Sequence, residues 1–406
     1  MRVRITAQLV KADDGFHVWS ETYDRDAGDI FALQDEITAA IIGALKLKLG
    51  TEDAPTATVA DLEAYNVYLQ ARQKLALRGQ GNLVAARTLF VQAIKMDPDY
   101  APAHSGLGRT ISLLWLYSLH SDAPLALAEA NTTGKAAVQA ALALDPENAE
   151  AWSVLGMLHL WLDQDYVAAE KAISRSVELR PNDAEIVNFA GDLYYTTFDP
   201  RREATERRAV ELDPLHGVNH HDLSMVLHTE GKFAQALEAA NVAESLGYYE
   251  SSPSMYMFGT LPALLGLKRY EEAKEVVSRM EASPLIAHAV ALSMRARIAS
   301  AEGDKVAEAA LLKELLPLAE SGDLLPSAMA WNLIYAGRLD EAIGWVKRAL
   351  PARDAFINDP GMFPLPERLP DHPALRAAFD HPDLNPLYEI RRRNLAAAKI
   401  AAGGAP

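Results

Sequence analysis

One motif recurs along this chain and limits what it can fold into. Trp152-Ser153-Val154-Leu155-Gly156 is followed by Ala169, Ile173 and then Pro181, a helix–turn–helix unit with a period of about 34 residues. The same beats return at Gly81, Ala86, Phe90, Ala93 and Pro98, at Leu107-Gly108, Ala141 and Pro146, and at Ala190-Gly191, Tyr194, Ala209 and Pro214. Later copies run through Gly231, Phe233, Ala236 and Ala243, then Tyr270, Ala273 and Val277, then a divergent stretch around Gly303, and finally Gly337, Leu339, Ala342 and Ala349. Eight units fit between about Asp61 and Pro351. A single unit cannot bury its own apolar face, so neighbours must stack into one array. Small residues such as Gly156, Gly191, Ala236 and Ala342 let paired helices approach, while Phe90, Phe233 and Tyr270 fill the seam. Proline in Asp97-Pro98, Asp145-Pro146 and Asp213-Pro214 stops each second helix and biases its predecessor away from the α region.

These residues resemble the tetratricopeptide repeat. The resemblance implies an all-α, right-handed superhelix (an α-solenoid) of about eight helical hairpins over 61–351, acting as a non-catalytic scaffold for a protein or peptide ligand. In that family the first helix of each unit lines a concave groove. Carried onto this register, the groove positions are Tyr68 and Arg72, Ser105 and Arg109, Ser153 and Trp161, Asn188, Asp192 and Tyr195, and His221, Met225 and His228. Arginine, amide and aromatic side chains suit capture of a peptide backbone or carboxylate, and an acidic peptide end is expected to face Arg72 and Arg109. Three departures predict local irregularity: extra residues between Arg109 and Ala130, the turn Thr197-Phe198-Asp199-Pro200, and the passages Gly247-Tyr248-Tyr249 and Ser283-Pro284, which lack the Asp-Pro ending.

Residues 1–50 follow other rules. Val3, Ile5, Ala7 and Leu9 alternate with Arg4, Thr6 and Gln8, and Asp13-Asp14-Gly15 leads into the aromatic run from Phe16 to Tyr23. That pattern predicts a β-hairpin. Asp29 can cap a following helix carrying Ile30, Leu33, Ile37, Ile41 and Leu45, closed by Gly50. The segment Val3 to Val10, with His17 to Arg25 and Asp29 to Ile37, resembles the end of the TolB-amino-terminal-like domain, which in bacteria often joins a class III adenylate cyclase or a winged-helix DNA-binding module to a tetratricopeptide array. The resemblance implies either a truncated start or a chain that has shed its output module, and so a second reading as the regulatory part of such a cyclase or regulator. A lone hairpin leaves its first strand with an open edge, and the expected remedy is either pairing with a second copy or packing onto the first repeat.

Residues 352–400 open with a proline-rich stretch and end in helical periodicity, read as capping helices for the array. Arg391-Arg392-Arg393 reads there as a solvated helix face.

Chemistry is constrained mainly by what is missing. The chain has no cysteine, which removes thiolate nucleophiles, disulfides and cysteine-ligated metals, and suits a reducing cytoplasm. Its net charge of −16 repels nucleic acid and anionic membranes. HExxH, GxSxG and Walker patterns are absent, so no catalytic residue, cofactor or metal is assigned. His216, His220, His221 and His228 cluster in sequence without converging spacing, and read as a protonatable patch along the groove.

Overall fold

The computed structural model describes residues 2–10, 17–26, 37, 62–118, 125–350, 359, 361 and 370–401. At the N-terminus β1 (Arg2–Val10) pairs antiparallel with β2 (His17–Asp26), with Ile5 opposite Tyr23, Thr6 opposite Thr22 and an irregularity between Leu9 and Val10. On the polar face Arg4 meets Asp24 at 2.7 Å, and the Thr6 and Thr22 hydroxyls lie 3.0 Å apart. Tyr23, sharing the other face with Ile5, is buried, as alternation with one covered face requires. The helix expected from Asp29 lies outside the described residues except at Ile37, which is helical.

Eight helical hairpins then run from Leu62 to Ala349. The first four are α1 (Leu62–Ala76) with α2 (Gln80–Met96), α3 (Ala101–Ser118) with α4 (Leu127–Leu144), α5 (Ala149–Leu158) with α6 (Tyr166–Leu179), and α7 (Ala184–Thr196) with α8 (Arg202–Leu212). The fifth pairs α9 (Gly217–Thr229) with α10 (Phe233–Ser245). In the sixth the first helix is broken into α11 (Tyr248–Ser251), a 3-10 turn at Pro253–Met257 and α12 (Thr260–Gly266), which precede α13 (Tyr270–Glu281). The last two are α14 (His288–Glu302) with α15 (Lys305–Ser321), and α16 (Pro326–Tyr335) with α17 (Leu339–Ala349).

The junctions repeat because their chemistry repeats. Asp97, Asp145, Arg180 and Asp213 each precede a proline and take φ between −135° and −140° with ψ between 77° and 94°, since the proline ring disfavours the helical region for its predecessor. The three aspartates also accept backbone N–H bonds from Asp99, Glu147 and Leu215 at 3.1, 3.0 and 3.2 Å. Asn148, Asp165 and Asp183 then cap α5, α6 and α7 through their side chains. Within the seams Phe90, Ala236 and Ala342 are fully buried, and a Cβ at Gly156 would run into Ile173. The irregular sites fall where the sequence departs: α3 runs on to Ser118 before an undescribed stretch, Phe198 takes a left-handed φ of 55° in the α7–α8 turn, and the first helix of the sixth unit is broken.

The array coils tightly enough for distant units to touch. The Tyr117 hydroxyl on α3 lies 2.8 Å from that of Tyr248 on α11, and the turn after α1 packs on Ser251 beside Gly79. Beyond the array, α18 (Pro373–Ala378) packs on α17. The next helix, α19 (Asn385–Ala401), is not a terminal cap: it crosses back to the middle of the array. Its Leu387 joins Met157, Leu160, Phe189 and Leu193 in one cluster. Arg391, read from sequence as part of a solvated face, is fully buried; its Nε donates to the Thr196 carbonyl at 2.7 Å, and Asn394 donates to the Thr197 carbonyl at 3.0 Å. Both side chains satisfy carbonyls that the end of α7 would otherwise leave orphaned, and the cation complements the negative helix terminus.

Gly79 combines a φ of 74° with a hypothetical Cβ only 2.5 Å from the Ser251 carbonyl oxygen, whereas Gly81, inside α2, has nothing within 4 Å. Gly79→Ala should therefore destabilise the fold by about 2 kcal/mol or more, from left-handed strain plus overpacking. Gly81→Ala should stabilise it by about 0.5–1 kcal/mol. Urea unfolding of the two variants checks the contrast.

Candidate functional site

The first helices of successive units form the concave face, and α3, α5, α7, α9 and α11 enclose a partly open cleft of about 150 Å³ there. A π-helical turn at His159–Asp163 extends α5 and brings Leu160 and Trp161 into its wall, the kind of local unwinding often found at functional sites. Tyr117, Met225 and Tyr248 complete much of the apolar lining, and Arg78, Asn188, Asp192, His221 and Asp222 supply the polar groups. A second cavity of about 410 Å³ adjoins it around His228, Arg297, Trp331 and Tyr335, with Tyr195 and Phe258 belonging to both.

Of the residues assigned to the groove, Trp161, Asn188, Asp192, Tyr195, His221 and Met225 come together around the cleft, and His228 lines the second cavity. Tyr195 donates to Asp359 at 3.3 Å. The others are placed differently. Tyr68 is buried among Tyr65, Phe90 and Tyr100. Ser105 and Ser153 are also buried, donating to the Glu150 carboxylate at 3.1 Å and the Glu150 carbonyl at 2.8 Å. Arg72 and Arg109 do converge, but on carboxylates of their own chain: both pair with Glu150, at 3.4 and 3.2 Å, and Arg109 also pairs with Glu185, which takes Arg78 at 2.7 Å. Burial, with the charge of Arg78 beside it, lowers the Arg109 pKa to about 9. The acidic partner expected for these arginines is thus internal, because Glu150 and Glu185 occupy the first turns of α5 and α7.

The histidine patch is corrected as well. Burial lowers the pKa of His216 to about 4, of His221 to about 3 and of His228 to about 4, so these rings stay neutral near pH 7. His221 shares a 3.0 Å hydrogen bond with the Tyr249 hydroxyl, and His220 bonds the Pro214 carbonyl at 2.9 Å. Among the described residues no three histidine, aspartate or glutamate side chains are grouped to hold a metal ion.

Sequence reasoning missed the acidic layer beneath the cleft. Asn188 donates to Asp222 at 2.7 Å and to Glu206 at 3.3 Å. Glu206 is fully buried on α8 against Gly191, where a Cβ would collide with its carboxylate, and its Oε1 has no partner. Burial first, then the neighbouring Asp222 and Asp192 charges, push its pKa well above the ordinary carboxylate range. Burial likewise raises Asp222 to about 6.

Residues 126–184 match the family model described as tetratricopeptide repeat. The array has the tetratricopeptide fold. Over 109 residues, 26% of this chain, it is 38% identical to putative adenylate cyclase 3 of Rhizobium meliloti, a match covering 19% of that protein. Over 180 residues, 42% of this chain, it is 27% identical to human protein O-mannosyl-transferase TMTC3, covering 18% of that protein. The chain thus spans about a fifth of the length of these two relatives. Among solved structures, Pseudomonas aeruginosa pilF aligns with a TM-score of 0.41 and 19% identity, over 55% of this chain and 93% of that one. Repeats of this fold are protein-interaction scaffolds, and no described helix is long and apolar enough to cross a membrane.

The acid layer gives a signed pH dependence. Asp222 holds its proton up to about pH 6 when folded, against an ordinary value of 3.8, so the native state binds more protons between those values. The Asp222 contribution to stability falls as pH rises through that window and is level above it. Asp222→Asn should remove this slope, raising stability at pH 7.5 by as much as about 2–3 kcal/mol and leaving it unchanged near pH 3. Denaturant titrations at the two pH values check it.

Proposed function

We propose that this chain is a non-catalytic scaffold of a bacterial signalling system, working in the cytoplasm and holding a protein or peptide segment on its concave face. The observation that carries the reading is the convergence of Trp161, Tyr195 and Met225 with the amide of Asn188 on one cleft, built from first helices of three different units. Aromatic and flexible apolar groups around a few hydrogen-bonding groups are what a docking side chain needs. Capture from bacterial lysate by the full chain should recover partners that a Trp161→Ala/Met225→Ala variant loses by about tenfold or more, each truncation costing about 1 kcal/mol or more. Identical partner lists from wild type and a folded variant would count against the concave face.

A second reading has its own support. The 38% identity to a putative adenylate cyclase, together with the hairpin that resembles the close of a TolB-amino-terminal-like domain, favours the regulatory part of a class III cyclase or winged-helix regulator. Recovery of such an output protein in the same capture would favour it over a free-standing scaffold.

The hairpin also supports a dimer in which β1 extends its sheet with a second copy by two-fold symmetry. Light scattering should then report about twice 44.3 kDa, and removal of residues 1–28 should restore a monomer. A monomeric full-length chain contradicts this arrangement.

A further inference from the structure

The cleft carries basic and acidic groups that the described residues leave under-bonded. Arg78 follows α1 in a left-handed conformation, φ 53°, that holds its side chain inside the coil at 3% exposure. One nitrogen donates to Glu185 at 2.7 Å, while Nε and Nη1 are buried without a partner among the described residues. Asp192 on α7 and Asp222 on α9 line the same cleft. Asp222 accepts a hydrogen bond from Asn188, and Asp192 accepts none among the described residues. Burial raises both carboxyl groups, Asp192 well above the ordinary range with the Asp222 charge adding to the push, and the Arg78 charge opposes that rise at each, so the three groups lie within electrostatic reach of one another.

Buried donors without acceptors beside a carboxylate without a donor cost free energy while the cleft is empty. A ligand bearing an anion and a cation a few bonds apart relieves both deficits at once. We propose that this cleft binds a small zwitterionic α-amino acid, its carboxylate on the free N–H groups of Arg78 and its ammonium between Asp192 and Asp222. A guanidinium edge is shaped for a carboxylate, and Tyr117, Tyr248 and Trp161 give the ammonium an aromatic surround. Size restricts the choice: a cavity of about 150 Å³ accepts a body of benzene size, about six heavy atoms, which is the size of alanine. The inference concerns the interior of the cleft and does not depend on peptide capture at its rim.

Titration calorimetry on the full chain tests it with L-alanine as the probe, beside propionate and ethylamine, each of which keeps one charge, and the dipeptide Ala-Ala, which separates a peptide terminus from a free amino acid. L-alanine should bind about tenfold or more tightly than any of the three, the worth of one charge-assisted hydrogen bond. Asp192→Asn should weaken alanine by about tenfold while leaving the melting temperature at or above wild type, because that carboxylate accepts no hydrogen bond among the described residues. Arg78→Gln should erase the preference for alanine over ethylamine. No heat with alanine, propionate binding as well as alanine, tighter binding of Ala-Ala, or an unchanged affinity in a folded Asp192→Asn protein would each overturn the proposal.

Discussion

The ion cluster of Arg72, Arg78 and Arg109 with Glu150 and Glu185 fixes how tightly this solenoid is wound. Arg109 is almost wholly buried and still has to carry its charge near pH 7; without a carboxylate beside it, burial would cost several kcal/mol. Glu150 and Glu185 meet that need from the first turns of α5 and α7, so α1, α3, α5 and α7 must converge at one end. The convergence brings Arg78 against α7, Tyr117 to Tyr248 and the Gly79 turn onto Ser251. An open trough becomes a cleft enclosed on several sides.

Much of this architecture was legible in the sequence because it is local. The period, the prolines after the second helices of the first four units and the small seam residues place eight hairpins, and period-two alternation places the N-terminal strands. Even the breaks in the array lie where the Asp-Pro ending or the inter-helix turn is lost. The site was legible only in part. Repeat register gave the positions around the cleft, Trp161 through Met225, but it treats every first helix as equally exposed, and Tyr68, Ser105 and Ser153 are buried against their own or the next unit. The partners of Arg72 and Arg109 had a readable signal: Asn148-Ala149-Glu150 and Asp183-Ala184-Glu185 place a glutamate at the same station after a capping residue. Arg391 had none, since it answers the carbonyl of Thr196, far away in sequence.

The tight coil also explains why polar groups collect inside the concave face. Gly191 makes room for Glu206, Asn188 bridges Glu206 and Asp222, and the acids are tolerated because burial raises their pKa values instead of leaving all of them charged. An occupant of the cleft touches α3, α7, α9 and α11 together, the same elements whose approach the ion cluster enforces, so occupancy and closure are coupled through shared contacts.

The absence of native cysteine permits a direct measurement of that closure. Spin labels placed through Leu77→Cys and Glu250→Cys, both exposed positions flanking the junction of Gly79 with Ser251, report the distance between the first and sixth units by pulsed electron resonance. If the ion cluster sets the winding, the labels give a short, narrow distribution that becomes long and broad when Glu150→Gln and Glu185→Gln are introduced together. An unchanged short distance in that doubly substituted protein would mean that apolar packing alone closes the coil.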